Sequence, residues 1–175
     1  GFSQANFKIP YYNLGFFPEK ITKLRATSYN LETGNKVVET NLEKENVFIE
    51  KISPNEMSHN FSVPNVKNGT VFEVEYVMIS DLLGSIRNWN FQYTIPAVFS
   101  ELTTIFPEYF KYKILMNGFI SPTTTNSETA VNQILFSSGK DVGTNIPFTD
   151  YIQKFRFENV PAFKEEPYMN SLYNY

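Results

Sequence analysis

The stretch Val71–Ser80 constrains this chain more than any other. Phe72, Val74, Tyr76 and Met78 fall on every second position there, with Glu73 and Glu75 between them. A period of two places such residues on one face of a β-strand, whereas a helix repeats every 3.6 residues. Burying each of those four side chains is worth about 1.5–3 kcal/mol. The opposite face begins charged and turns apolar at Val77 and Ile79, the pattern of a sheet covered only in part.

The same alternation recurs along the chain, punctuated by Gly, Pro and Asn. Leu24 to Asn30 and Lys36 to Leu42 flank Leu31-Glu32-Thr33-Gly34-Asn35, whose Gly34-Asn35 pair suits the positive backbone angles of a hairpin. Val47 to Ile52 and Met57 to Val63 flank Ser53-Pro54-Asn55-Glu56 in the same way, and Pro64 to Gly69 then turns the chain into the strongest strand. Trp89, Phe91, Tyr93 and Ile95 alternate until Pro96, which predicts a further strand with those four on one buried face. Tyr151, Phe155, Phe157 and Val160 carry the pattern near the end. Helix signals are weak; Asp81 to Ile86 reads as a turn or a short helix, with Gly84 against anything longer. Ser121 to Pro147 is rich in Ser, Thr, Asn and Gly around the short apolar patch Ile134 to Phe136, and reads as a long loop or insertion. The expectation is an all-β fold: one antiparallel β-sandwich spanning residues 1–175, with a long polar excursion at 121–147 and little helix.

Composition narrows the chemistry. The 175 residues include 17 Phe, 11 Tyr and 1 Trp, far more core-forming material than a disordered segment carries. Fifteen Lys and Arg against eighteen Asp and Glu leave a net charge of −3, scattered rather than striped, so nucleic acid is not an expected partner. Zero Cys removes thiol nucleophiles, disulfides and thiolate metal sites. No run reaches the roughly 20 apolar residues of a membrane-spanning helix. No cofactor is expected, since neither a phosphate-cradling glycine loop nor a metal-ligand spacing is present.

Four segments carry a resemblance. Phe61-Ser62-Val63-Pro64-Asn65-Val66-Lys67-Asn68-Gly69-Thr70-Val71-Phe72-Glu73, followed by Glu75-Tyr76, resembles the core of the Bacteroidetes domain of unknown function 3857 family, a β-rich domain that precedes transglutaminase-like domains. Ala26 to Gly34, Trp89 to Pro96 and Asn159 to Tyr168 agree with it in order. None of these blocks is a chemical signature. The resemblance implies a β-sandwich module of an exported, periplasmic or cell-envelope protein, and a following peptidase-like or transglutaminase-like domain with a Cys-His-Asp constellation. It also implies that the chain, which starts at Gly1 without a leader, is a fragment of a longer protein.

Among candidate sites, His59 is the single imidazole. It shares a strand face with Met57 and Phe61, so a hydrogen-bonded structural histidine is expected rather than a catalytic base. Glu73 and Glu75 lie about 6.5–7 Å apart along one strand face, a spacing that permits acid/base work but equally describes a solvated face. Glu165-Glu166 read the same way. Asn60-Phe61-Ser62 and Asn68-Gly69-Thr70 match the glycosylation acceptor and are taken as chance matches in an Asn-rich chain. Arg87 beside Trp89 is a candidate for stacking a sugar ring or anchoring a peptide. Tyr11-Tyr12 and Phe16-Phe17 are adjacent pairs whose members must point to opposite faces, so one of each pair needs a second cover, such as a neighbouring domain. The expected role is a non-catalytic accessory module that docks on neighbouring domains of the same polypeptide or on a protein partner. Glycan or peptide binding through exposed aromatics is the alternative, and a glutamate-dependent hydrolase a distant third.

Overall fold

A computed structural model of the chain describes residues 2–84, 86–118, 120–136 and 143–164. The described residues are all-β and antiparallel, with three sheets and two short 3₁₀ turns at Phe2–Ala5 and Lys44–Asn46. Among them no helix is long and apolar enough to cross a membrane, which says nothing of strands that cross as a barrel.

The single domain expected from length is instead two compact units, Gly1–Ile86 and Arg87–Tyr175. The physical reason is that each half closes its own sheets: every strand pairing joins strands of one unit.

The first unit holds strands β1 (Asn6–Leu14), β2 (Phe17–Pro18), β3 (Lys20–Glu32), β4 (Lys36–Asn41), β5 (Phe48–Ser53), β6 (Glu56–Ser62) and β7 (Val71–Ile79). They form a four-stranded sheet in the order β2-β1-β6-β5 and a three-stranded sheet in the order β4-β3-β7. The two share one core, in which Ile9, Phe61 and Val63 of the first sheet and its margin meet Ala26 of the second. Phe72, Val74 and Met78 pack against that core, so the face read from the alternation in β7 is the inner one. Tyr76, its fourth member, remains 49% exposed. Gly34 and Asn35 both adopt positive φ between β3 and β4, as the hairpin requires.

Crossing from the first sheet to the second is the work of the Pro64–Thr70 turn, and a buried amide holds it. Asn30, 1% exposed, donates from Nδ2 to the Asn65 carbonyl at 2.9 Å. Its Oδ1 accepts the Thr70 hydroxyl, which also takes the Lys67 N–H. Asn65 and Gly69 sit at φ of 52° and 85°, a region that Asn and Gly enter with least strain. The Pro64–Thr70 stretch is thus a structural buckle.

The second unit holds β8 (Ala97–Pro107), β9 (Thr124–Phe136) and β10 (Thr144–Val160) in the order β8-β10-β9. Two expectations fail here. Segment 121–147 is largely strand, namely β9 and the start of β10; residues 137–142 lie outside the described residues. Its Ser and Thr content read as loop because apolar alternation was missing, yet a strand exposed on both faces needs none, and β-branched Thr favours extended backbone. Trp89 to Ile95, in turn, is irregular rather than a strand. Only Phe91 finds a cover, its ring 4.2 Å from that of Phe157, while Trp89, Tyr93 and Ile95 are about half exposed. Backbone and side-chain bonds from Phe163 N–H to Tyr93 O and from Gln92 Nε2 to Pro161 O tie the segment alongside the end of β10 instead of within a ladder.

Asn30→Ala leaves the Thr70 hydroxyl and the Asn65 carbonyl without their buried partner, a loss of about 1–3 kcal/mol. The expected result is a lower urea midpoint for unfolding of the first unit. A midpoint equal to that of the parent shows that the buckle is not what holds the crossover.

Candidate functional site

The six residues singled out from the sequence fall in both units: Tyr11, Tyr12, Phe16 and Phe17 in the first, Arg87 and Trp89 in the second. β1 and β2 make a tight hairpin, pairing Asn13 with Pro18 and Leu14 with Phe17. Gly15, at φ 59°, and Phe16 form its tip. Below the tip, the Tyr12 N–H donates to Glu19 Oε2 at 2.7 Å, and the Glu19 N–H donates to the Tyr12 carbonyl at 2.8 Å. Glu19 is itself buried, so a desolvated carboxylate latches the hairpin base. That rigid base carries Phe16 outward, 96% exposed.

The adjacent tyrosines divide as the strand geometry demands. Tyr11 points inward, its ring 5.1 Å from that of His59, and burial pushes its hydroxyl pKa up. Tyr12 points outward and is 41% exposed. Phe17 lies in β2, and its side chain is outside the described residues. Arg87 and Trp89 are both exposed, on the irregular segment before β8.

A cleft of about 330 Å³ opens at one end of the first unit and was not legible in the sequence. Ile21, Thr22 and Leu24 of β3 form one wall, Ile49 and His59 of the other sheet the second, and the crossover from Leu42 to Val47 the third. Thr22 is the extra residue of a bulge: Ile21 pairs with Met78 and Lys23 with Val77. The bulge lets Ile21 and Leu24, three positions apart, both face the cleft. That odd spacing of apolar residues is the only sequence trace of the site.

His59 shares the inner face with Phe61, as its spacing predicts, but its Nδ1 is buried without a hydrogen-bond partner. The hydrogen bonding expected of a structural histidine is therefore missing at that atom. Burial holds the imidazole below its ordinary pKa. Ser58, the neighbouring hydroxyl, alternates to the other face and donates to Asn60 Oδ1, so it does not serve this base as a nucleophile. On β7, Glu73 accepts from the Tyr29 hydroxyl and Glu75 pairs with Lys23. The Lys23 hydrogen bond holds the Glu75 carboxyl below its usual range, the direction opposite to that needed in a general acid. Glu165 and Glu166 lie outside the described residues. Among the described residues, no three His, Asp or Glu side chains gather into a possible metal site.

Comparison of the chain with protein-family models, with curated proteins and with solved structures finds no match.

Because the folded pKa of His59 lies below 6.5, the unfolded chain takes up its proton first on acidification. Stability is therefore undiminished above pH 6.5 and falls as the pH drops from there toward the folded pKa, by at most about 1.4 kcal/mol per pH unit for one proton. The Glu75 pairing acts in a lower window, below pH 4.5. Urea midpoints between pH 7.5 and 5 are expected to decline for the parent and to stay flat in His59→Phe. An equal decline in both assigns the acid sensitivity elsewhere.

Proposed function

We propose that this chain is a non-catalytic β-rich module of a larger exported protein, located in the periplasm or at the cell envelope. Its amino-terminal hairpin docks on a neighbouring domain of the same polypeptide or on a protein partner, orienting it or helping to present a substrate. The observation that carries this reading is Phe16, 96% exposed at a hairpin tip with Leu14 and Tyr12 beside it. A large aromatic ring held out by a latched base loses little conformational entropy on binding, and such rings supply much of the energy of interfaces. The resemblance to the Bacteroidetes domain of unknown function 3857 family supports the same role, with catalysis assigned to a following transglutaminase-like or peptidase-like domain.

Amide hydrogen exchange tests the docking. In the polypeptide with its native flanking sequence, amides of residues 11–18 are expected to exchange at least tenfold more slowly than in the isolated chain. Phe16→Ser removes that protection and leaves the melting temperature unchanged. Identical exchange in the two contexts counts against docking.

One observation favours a second reading, binding of a glycan or a peptide. Trp89 and Tyr93 are each 48% exposed on one short segment, presenting aromatic faces of the kind on which sugar rings stack. Since Trp89 is the chain's single tryptophan, its fluorescence reports directly on such binding. A saturable change with a glycan or peptide panel, abolished by Tyr93→Ala, is the expected outcome under this reading; no response from any member of the panel removes it.

A further inference from the structure

Strand β9 is exposed on both faces along its described length, with Val131 83%, Leu135 65% and Ile134 47% exposed. It lies at the margin of its sheet, and among the described residues no strand pairs with its outer edge. Which backbone groups face that edge follows from one hydrogen bond. The Glu108 N–H donates to the Thr149 carbonyl, so Thr149 turns its backbone groups toward the β8 side. Alternation then turns the even-numbered residues of β10 toward β9. The register pairs even with even, as Asp150 with Ala130 and Phe148 with Asn132. The odd-numbered residues of β9, Thr125 to Leu135, therefore present their N–H and C=O groups to the open edge.

Natural sheets guard such an edge with Lys, Pro, bulges or a covering segment. β9 has no Lys, Arg or Pro, its ladder with β10 runs without a register shift, and Glu128 is its single charge. From Thr129 to Phe136 no residue is charged, and on β10 opposite it, from Thr144 to Tyr151, the single acidic or basic side chain is the buried Asp150, which stands opposite Ala130 and accepts from Asn132 Nδ2. One local guard is present: the Gln133 N–H donates to Asn132 Oδ1 at 3.0 Å.

We propose that β9 pairs antiparallel with β9 of a second copy of this chain, about a two-fold axis at Gln133, joining two three-stranded sheets into one of six strands. In this register Val131 stands opposite the partner's Leu135, twice by symmetry. Ala130 stands opposite the partner's Phe136, and Asn132 opposite the partner's Ile134. The two Glu128 side chains sit at opposite ends of the pairing, so no like charges meet. At the centre, Gln133 N–H exchanges Asn132 Oδ1 for the partner's Gln133 carbonyl. An uncharged edge gains nothing in particular from a charged peptide, whereas it matches itself without repulsion. The size of the contact sets its strength. Seven paired residues at about 3.4 Å each, on a sheet about 10 Å thick, cover roughly 240 Å² per copy, well below what stable complexes bury. The association is therefore weak and concentration-dependent. It is independent of the docking proposed for the amino-terminal hairpin.

Sedimentation velocity of the whole chain between about 10 μM and 1 mM reads it, a range chosen because contacts below standard size are weak and transient. Dimer is expected to rise with concentration. V131K/L135K places Lys opposite Lys in both symmetric pairs and is expected to stay monomeric throughout. V131K/L135E places Lys opposite Glu in both and is expected to associate at least as well as the parent. Both positions are solvent-exposed, and circular dichroism checks that each variant keeps its sheet. For the parent itself, amides of Val131 and Leu135 are expected to exchange more slowly at high concentration. A parent chain monomeric at every concentration, or two double variants that behave alike, overturns the proposal; the second result assigns association to another surface, as does slowing confined to amides outside β9.

Discussion

The architecture of the first unit rests on a buried side-chain amide, Asn30. β6 ends in one sheet and β7 begins in the other, and the eight residues between them must reverse and cross without leaving polar backbone unsatisfied inside. Asn30 solves this by donating to the Asn65 carbonyl and accepting from Thr70, whose hydroxyl in turn accepts from Lys67. The residues on either side of the crossing, Phe61 and Val63 before it and Phe72 and Val74 after it, belong to the shared core. Were the turn to slip by one residue, every side chain of β7 would exchange faces, and the core would lose Phe72, Val74 and Met78 together.

Similar logic governs the features that bear on function. The Phe16 tip protrudes because the buried carboxylate of Glu19 fixes the hairpin base through the Tyr12 backbone. The cleft beside His59 exists because one extra residue in β3 brings Ile21 and Leu24 to the same side. The second unit is organised differently. Its central strand β10 is covered on one face at Phe148, beside Tyr109, and on the opposite face at Phe157, beneath Phe91. Neither cover extends over β9, whose apolar residues therefore remain at the surface.

Legibility in the sequence followed the amount of one-sided burial. β7 and the β3–β4 hairpin were readable because β3 and β7 bury one face, and the β5–β6 hairpin because its connection turns at residues suited to turning, although β5 itself stays almost wholly exposed. Tyr11 and Tyr12 were readable for the same reason, since neighbours on a strand must part, and one faces His59 while the other faces water. β9 was not readable, because a strand with both faces in solvent leaves no hydropathic period. Trp89 to Ile95 misled in the opposite way: its alternation is real, but only Phe91 meets a cover. The His59 cleft was invisible because its walls come from residues 21–24, 42–47, 49 and 59, and their convergence is a property of the sheets alone.

What the sequence by itself determined is the backbone's vocabulary: antiparallel strands, the turns at Gly34-Asn35 and Pro64–Thr70, and a chemistry without thiols. These are local, set by side-chain period, by the backbone freedom of Gly and Asn, and by which functional groups are present at all. Only the tertiary structure decided that the chain closes as two units, that Asn30 is the buckle between sheets, and that Phe16 and β9 are left facing water. Those outcomes depend on which face finds a cover, and cover is supplied by residues distant in sequence, so no local pattern records it.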